Sequence, residues 1–317
     1  MKVVYSPRFD INFFGLEKLH PFDAKKYSRA WARVPQLHEN ALTVTEPVSD
    51  EDLLRVHSEA YLASLRHAHN LARALELPII GGLPVKLTEL AVLNPMRFGV
   101  AGTILAAREA LTEGLVFNLS GGYHHAKPDQ GEGFCLFNDI TIAIAILRAE
   151  GLLGNIVYVD LDAHMGNGVA HCFLNDRSVW LFDMFNADRY PYSDTLARQR
   201  LDWPIPLKDG TAGPLYLNLL QTNLPEFLET VGSMGEITLA IYNAGTDPYE
   251  KDALGGLRLT ETELLNRDLF VLTTLHALNL PTLVLPSGGY SDASHRMIAN
   301  TLQASLTIPA LSCDKAL

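Results

Sequence analysis

Residues 158–168, YVDLDAHMGNG, begin like a buried strand and end in a glycine-rich turn, yet they carry two aspartates, a histidine and an asparagine. Side chains alternate along an extended backbone, so Asp160, Asp162 and His164 point to the same side. Two carboxylates and an imidazole away from water are costly unless a cation neutralises them, and zinc or iron(II) suits such ligands. The stretch predicts a strand that ends at a metal site. The alternative is a strand end whose carboxylates cap the next helix, with His164 bonded to backbone.

Further short apolar runs rich in β-branched residues predict a sheet. The predicted strands cover residues 3–5, 116–119, 156–159, 179–182, 237–242 and 282–285. Four helices are predicted between these strands. The first starts at a cap formed by Ser49 and Asp52 and runs through residues 53–65, and the second covers residues 100–111 and stops at Gly114. The third starts at an Asn138 cap and ends at Gly151, and the fourth starts at a Thr260–Glu263 capping box. Wholly apolar strands that alternate with helices indicate a parallel sheet covered on both faces. We therefore predict an α/β fold: a single three-layer αβα domain over residues 1–317 with a central, mostly parallel sheet.

Composition limits the classes of partner. The 317 residues are 48% hydrophobic and carry a formal net charge of −11 without a Lys/Arg cluster. Such a surface repels phosphate backbones, so we expect no direct nucleic-acid binding and an attraction for basic peptides or polyamines. The most apolar run, residues 140–147, falls short of the roughly 20 residues that span a bilayer, so we expect no membrane association.

Two features suggest a reducing compartment. The N-terminal residues lack the apolar stretch and cleavage pattern of a signal peptide. The cysteines Cys135, Cys172 and Cys313 are odd in number and form no CxxC pair, which argues against a disulfide framework. We therefore expect buried thiols and a cytoplasmic protein.

Polar residues cluster directly after four of the predicted strands. The segments are SGGYHHAKPDQGEGFCLFND, DLDAHMGNG, NAGTDPYEKDALGG and PSGGYSD. Ligands of open parallel sheets bind beyond the carboxyl ends of the strands, and glycines let backbone approach a ligand closely. One site built from these loops is therefore predicted.

A catalytic zinc typically has three protein ligands and one open position. Asp247 follows an apolar strand and is the best third ligand beside Asp162 and His164; the alternative is a turn residue before Pro248. Asp160 then serves better as a partner that orients a histidine than as a fourth ligand.

Three further side chains suit acid-base chemistry. His124 and His125 would handle protons near a metal site, although loop histidines are commonly surface residues. Tyr290 would donate its hydroxyl to a carbonyl oxygen where negative charge develops, and its alternative is a packing aromatic.

In order along the chain, these residues resemble the zinc-dependent histone deacetylase superfamily, with its arginase/deacetylase fold. The resemblance is carried by YSPRFD, LHPFDAKKY, VHSEAYLASL, GGYHHA, GEGFCLFND, VYVDLDAHMGNG, FDMFNADRYP, YNAGTDPYEKDALGGLRLT and SGGYS. The segments GLEKLHPFDAKKY, GNG and FDMFN resemble the class IV branch more than classes I or II.

The resemblance implies an amide hydrolase that removes an acetyl or longer fatty acyl group from lysine side chains in proteins, using metal-activated water. Zinc would be held by Asp162, His164 and Asp247. His125 would act as general base and then acid, His124 tied to Asp160 as its electrostatic partner, and Tyr290 as the oxyanion donor. The neutral Asn167 stands where many members have an aspartate beside the second histidine, so the pKa of His125 should be lower than with a carboxylate.

The resemblance also assigns substrate and cation contacts. Gly133 and Phe134 would form a tunnel wall for the lysine stem, with Tyr190 opposite and Gly288 and Gly289 beside the substrate. A structural potassium ion would be held by Asp160, Asp162, His164 and Asp183.

Three alternatives remain open. An acetylpolyamine or other small-amide deacylase would use the same scaffold, and the acidic charge suits it. A pseudoenzyme that binds acyl-lysine, or a scaffold, would not hydrolyse. An arginase-like dinuclear manganese enzyme would need further aspartates that the chain does not place beside Asp162 or Asp247.

Overall fold

Seven parallel strands form one sheet in the computed structural model, which describes residues 1–12 and 21–309. The strands are β1 Lys2–Val4, β2 Leu115–Asn118, β3 Asn155–Asp160, β4 Val179–Asn186, β5 Trp203–Leu207, β6 Ile237–Asn243 and β7 Thr282–Leu285. Their order across the sheet is β1-β2-β7-β6-β3-β4-β5, and every neighbouring pair is parallel. The predicted fold class and six of the strands are confirmed. Strand β5 was not predicted, because two of its residues are prolines; prolines are tolerated at the edge of a sheet, which is the position of β5.

Twelve α-helices surround the sheet in the described residues. They are α1 Lys26–Trp31, α2 Asp50–Leu53, α3 Glu59–Ser64, α4 Ala68–Ala74, α5 Val85–Thr88, α6 Asn94–Glu113, α7 Asp139–Ala149, α8 Asn167–Cys172, α9 Thr195–Arg200, α10 Gly213–Met234, α11 Glu261–Ala277 and α12 Ser294–Ser305. Three predicted caps are confirmed: Gly114 at φ 81° ends α6, Asn138 accepts a bond from the Thr141 amide at the start of α7, and the capping box begins α11.

The helix predicted from Ser49 through residues 53–65 is wrong as a single element. Ser49 does cap α2, but that helix ends at Leu53, and Ser58 caps the separate α3. The break lies at buried His57, whose Nδ1 lies 3.1 Å from the Lys127 carbonyl and whose Nε2 accepts a bond from the Asn138 amide at 3.0 Å. These contacts hold residue 57 against a distant loop, so the chain leaves the helical path there.

Both faces of the sheet are covered. Along β3, Ile156 and Tyr158 pack into one apolar cluster with α2–α8, while Val157 and Val159 pack into a second cluster with α1 and α10–α12. Alternate side chains of a strand point to opposite faces, so a strand buried on both sides must be apolar throughout. This arrangement is the predicted three-layer order.

One segment is more apolar than the sequence analysis recognised. Val85–Glu113, which comprises α5, a π turn over Glu89–Leu93 and α6, is long and apolar enough to cross a membrane by length and composition. Within its most apolar window 72% is buried inside the protein, as in a core helix. Of the cysteines, Cys135 is buried, Cys172 is partly buried, and Cys313 lies outside the described residues.

Candidate active site

The polar loops meet because their strands are neighbours. β2, β7, β6 and β3 lie side by side and run in the same direction, so their carboxyl ends reach one edge of the sheet. The loops that follow them carry the histidine pair, Tyr290, Asp247 and the DLDAH segment. The predicted convergence of four loops is therefore present.

Asp162, His164 and Asp247 form a group able to hold a metal ion. One ligand atom from each lies within 4.8 Å of the other two. His164 Nδ1 is 3.1 Å from Asp162 Oδ1 and 2.9 Å from Asp247 Oδ2. Both carboxylates are 0% exposed. The structure thus brings together the three residues that the sequence assigned to one cation.

The electrostatics of this group favour a bound cation. Burial and the adjacent Asp162 carboxylate raise the pKa of Asp247 to about 7. Burial opposes a charge on His164, but the two carboxylates outweigh it and raise the pKa of His164 to about 10. Paired buried carboxylates hold their charge only beside a positive group, and oxygen plus imidazole donors are a set that zinc accepts.

Backbone amides orient the carboxylates, and glycine is required next to them. The Gly288 amide donates to Asp162 Oδ2 and the Ala163 amide donates to Asp247 Oδ1, both at 2.8 Å. A Cβ on Gly288 would lie 2.4 Å from Asp162 Oδ2 and 2.6 Å from Asp247 Oδ2. Only glycine therefore brings its backbone to this side of the group. Gly289, at φ 133°, follows in the same loop.

His124 is paired with a carboxylate. Its Nδ1 lies 2.8 Å from Asp160 Oδ2, and its Nε2 faces Asp162 Oδ1 at 3.8 Å. Asn243, at the end of β6, donates to Asp160 Oδ1 at 2.9 Å. Burial opposes a charge on His124, but the Asp160 and Asp162 carboxylates raise its pKa to about 9. The ring is thus held as an imidazolium near neutral pH. Asp160 lies behind His124, where the sequence analysis placed it.

His125 is paired with an amide instead. Its Nδ1 lies 2.8 Å from Asn167 Oδ1, the first residue of α8. Burial and the neighbouring His124 and His164 rings hold the pKa of His125 well below its ordinary value. His125 is therefore a neutral imidazole able to accept a proton. The hydrogen bond with Asn167 acts in the other direction and raises the pKa of His125. That this pKa is lower than it would be beside a carboxylate stays a prediction.

Asn167 itself has partners that the sequence did not predict. Its Nδ2 donates to Glu132 Oε1 at 2.6 Å and to Asp194 Oδ2 at 3.2 Å. Lys127 Nζ lies 3.1 Å from Glu132 Oε1 and 2.9 Å from Asp194 Oδ2. His171 Nε2 also contacts Asp194, at 3.0 Å. These partners come from separate segments, and no local spacing links them.

Tyr290 borders the group on another side. Its ring lies 5.9 Å from the His164 ring and 5.7 Å from the Phe134 ring, edge-on in both cases. Asp252 Oδ2 accepts a bond from the Tyr290 amide at 2.7 Å and so anchors the residue. Burial and the Asp162 and Asp247 carboxylates hold the pKa of Tyr290 well above its ordinary value. The hydroxyl therefore stays protonated and available as a donor.

A largely apolar cavity opens at these residues, and it and the solvent at its mouth together occupy about 900 Å³. Both histidines, Tyr290, Gly288, Gly133 and Phe134 line it. A Cβ on Gly133 would lie 2.4 Å from the His125 ring, so glycine is needed for that close approach. Tyr190 lies edge-on against the His125 ring, with the ring centres 5.0 Å apart. It is not one of the described residues that line the cavity, where it was expected opposite Gly133 and Phe134.

Asp183 lies at the other proposed cation site. In the parallel register of β3 and β4 it is opposite Asp160. Its Oδ2 accepts a bond from the Gly166 amide at 2.9 Å, whereas its buried Oδ1 has no hydrogen-bond partner among the described residues. Burial and the Asp160 carboxylate hold the pKa of Asp183 well above its ordinary value. A cation would satisfy the free oxygen.

Two more residues near the site escaped the sequence analysis. Asp139 accepts bonds from the Gly122 and Tyr123 amides at 3.0 and 2.7 Å, and so shapes the turn before the histidines. Lys26 is fully buried, donates to the Ser287 carbonyl, and has a pKa lowered to about 8 by burial. The only sequence signal for Asp139 was its neighbour Asn138, a helix cap; Lys26 had none.

Comparisons with known proteins agree with these observations. The family model described as "Histone deacetylase domain" matches residues 20–306. The chain is 37% identical over 306 residues to "Histone deacetylase 2" of Arabidopsis thaliana, covering 96% of this chain and 78% of that protein. It is 28% identical over 261 residues to "Histone deacetylase 8" of Xenopus laevis, covering 76% and 75%.

A solved structure has the same fold. The crystal structure of the HDA15 HD domain matches with a TM-score of 0.76 and 19% identity, over 97% of this chain and 90% of that chain. The family model covers most of the chain, and the Arabidopsis thaliana relative is similar along nearly all of it. The chain therefore belongs to the histone deacetylase family, a family of hydrolases, as its motifs predicted.

Proposed function

We propose that this protein is a zinc-dependent amide hydrolase that removes acyl groups from lysine side chains in proteins. The observation that carries the proposal is one cavity lined by two histidines with different partners, Gly288 and Tyr290. The buried group of Asp162, His164 and Asp247 does not itself line this cavity but lies directly behind it, since the Gly288 amide donates to Asp162 and the Tyr290 ring packs against His164. Nucleophile activation, proton transfer and oxyanion stabilisation thus have a candidate side chain each. Iron(II) is the alternative metal for the same ligands.

Zinc, when bound, supplies a Lewis acid that polarises an amide carbonyl and lowers the pKa of water. His125 accepts the proton of the attacking water at Nε2, because its Nδ1 faces the Asn167 oxygen and carries the ring hydrogen. The same ring then returns the proton to the leaving amine. His124, charged beside Asp160, stabilises negative charge, and the Tyr290 hydroxyl donates to the developing oxyanion.

The apolar lining of the cavity supports a preference for acyl groups longer than acetyl. Its lining includes the buried residues Phe9, Tyr27, Val92 and Met96. Each methylene moved from water into such a lining contributes about 0.8 kcal/mol, so kcat/KM should rise with chain length until the cavity is filled. Met96→Trp would fill part of the cavity and should reduce hydrolysis of long acyl groups more than hydrolysis of acetyl groups.

A structural potassium ion is proposed beside Asp183, together with Asp160, Asp162 and His164. The buried Asp183 Oδ1, for which the described part of the chain supplies no hydrogen-bond partner, supports it. Potassium should raise the thermal unfolding midpoint of the native protein more than tetramethylammonium does, and Asp183→Asn should remove the difference.

Membership of the class IV branch stays a prediction, and part of its signal, residues 15–20, lies outside the described residues. A cytoplasmic location is likewise proposed, to be checked by cell fractionation.

One panel tests the proposed function against its alternatives. The zinc-loaded protein is assayed for free amine released from lysine peptides acylated from acetyl to myristoyl and from acetylated polyamines, while bound metal is counted per chain. We expect release from acyl-lysine peptides, one catalytic metal per chain, and loss of zinc in Asp162→Ala and Asp247→Ala. Preferred release from polyamines supports the small-amide alternative. Peptide binding without any release supports a pseudoenzyme, and two catalytic metals support an arginase-like site.

A further inference from the structure

The amide of Asn167 lies between an imidazole on one side and two carboxylates on the other. We propose that Glu132 and Asp194 are positioning residues that act through this amide to set which nitrogen of His125 carries the hydrogen. The inference rests on the proposed function, in which His125 Nε2 must accept a proton. Both carboxylates contact Asn167, and neither belongs to the group formed by Asp162, His164 and Asp247 in the described residues.

An amide side chain has two ends that look alike in shape but differ in hydrogen bonding. Its oxygen only accepts and its nitrogen only donates. Asn167 is 0% exposed, so bulk solvent does not reach either end of its amide. Carboxylates only accept, so Glu132 Oε1 at 2.6 Å and Asp194 Oδ2 at 3.2 Å require the NH₂ group to face them.

The orientation of the amide determines the tautomer of His125. With the NH₂ group turned toward the carboxylates, the Asn167 oxygen faces His125 Nδ1 at 2.8 Å. An oxygen acceptor there holds the hydrogen on Nδ1 and leaves the lone pair on Nε2. A flipped amide would place an NH₂ donor against Nδ1 and move the hydrogen to Nε2, where it would block proton acceptance.

The surroundings explain why a neutral residue occupies position 167. Lys127 contacts the same oxygens of Glu132 and Asp194 that accept from Asn167, and His171 contacts Asp194 as well. A carboxylate at 167 would lie within hydrogen-bond distance of two others and lose both donated bonds. The resemblance implies that many relatives have a carboxylate directly beside this histidine. In this protein the amide of Asn167 lies between His125 and the two carboxylates.

The contacts of Asp194 suggest variants that separate this role from folding. Asp194 Oδ1 accepts the Ala197 amide at 3.1 Å and caps α9. Asp194→Ser keeps a capping hydroxyl but is too short to hold Asn167. Glu132→Ala removes the shorter of the two bonds, and Glu132→Gln keeps an acceptor oxygen without the charge. Asp188→Asn is a matched control, because Asp188 pairs with Lys208 at the surface.

The first experiment measures kcat and KM for an acyl-lysine peptide with the zinc-loaded protein. We expect Glu132→Ala combined with Asp194→Ser to lower kcat by about 10-fold, as for other residues that orient an active group, with KM changed less than kcat. Glu132→Gln and Asp188→Asn should stay near the wild type. Spectra of ¹⁵N-histidine protein should show the hydrogen of His125 on Nδ1 in the wild type and a mixed tautomer in the double variant.

The second experiment uses charge exchange, with kcat taken at the pH optimum of each variant. Asn167→Asp should lower kcat, and adding Glu132→Gln should recover most of it, because the glutamine NH₂ can donate to the new carboxylate. The inference is overturned if the double variant keeps both the wild-type kcat and the Nδ1 tautomer, or if Glu132→Gln gives no recovery. A wild-type protein that releases no amine from any acyl substrate instead refutes the proposed function.

Discussion

His124 and His125 are adjacent in sequence and their rings lie 4.0 Å apart, but they have opposite surroundings. His124 faces the carboxylate of Asp160, and its pKa is raised to about 9. His125 faces the amide of Asn167, and its pKa is held well below the ordinary value. Two identical side chains therefore differ in charge near neutral pH, and the difference comes from their partners. The surroundings of His124 suit a fixed positive charge, and those of His125 suit a general base.

The largest loss of turnover is expected for a variant of His125, the proposed general base. His125→Ala should lower turnover of an acyl-lysine peptide by about 10²- to 10⁴-fold, because it removes the group that transfers protons. His124→Ala should lower turnover less, since its ring is proposed to stabilise charge without moving a proton. Equal losses in the two variants, with zinc content and circular dichroism unchanged, would contradict the division of roles.

Tyr290→Phe should have the next largest effect. It removes a hydroxyl whose high pKa keeps it a donor, and loss of one oxyanion donor costs on the order of 10²-fold in kcat. Because the ring remains, the edge contacts with Phe134 and His164 should persist. Steady-state kinetics with a full zinc complement measures the loss; an unchanged kcat removes the oxyanion role.

Asp160→Asn tests the other half of the comparison. It makes the partner of His124 an amide, as for His125, so the pKa of His124 should fall and its charge be lost near neutral pH. We expect kcat to fall by about 10-fold. A matched variant, Asp202→Asn, removes a carboxylate that bonds the Leu181 amide and the Arg200 side chain away from the site. Losses of the same size in both variants would indicate a general effect on folding.

Asn167→Asp should have the smallest effect of these variants. It should raise the pKa of His125, whereas Asp160→Asn should lower the pKa of His124. A carboxylate beside Nδ1 favours the charged imidazole, so the pKa of His125 should rise by on the order of one unit. A base acts only when it is unprotonated, so the acidic limb of the rate-pH profile should move to higher pH. If the profile does not move, the residue at 167 is not coupled to His125.

Local patterns were sufficient for much of the fold. Wholly apolar runs predicted six strands, and cap residues such as Asn138 and Thr260 predicted where helices begin. These signals work because each depends on a few neighbouring residues. The prediction failed where a distant contact intervened. His57 contacts a loop 70 residues away in sequence, and the helix predicted through residues 53–65 is interrupted there although the local sequence favours its continuation. The edge strand β5 was missed because its two prolines obscured the strand pattern of the other residues in this segment.

The sequence by itself determined the metal group and the histidine pair, because alternation in a strand and the parallel order of strands place such residues at one edge. Only the tertiary structure decided how the two histidines differ. Asn167, Glu132 and Asp194 come from separate segments, and their meeting depends on the path of every loop between them. Hydrogen bonds at about 3 Å require positions defined far more finely than a sequence pattern specifies, which is why the partners of His125 emerge only from the folded chain.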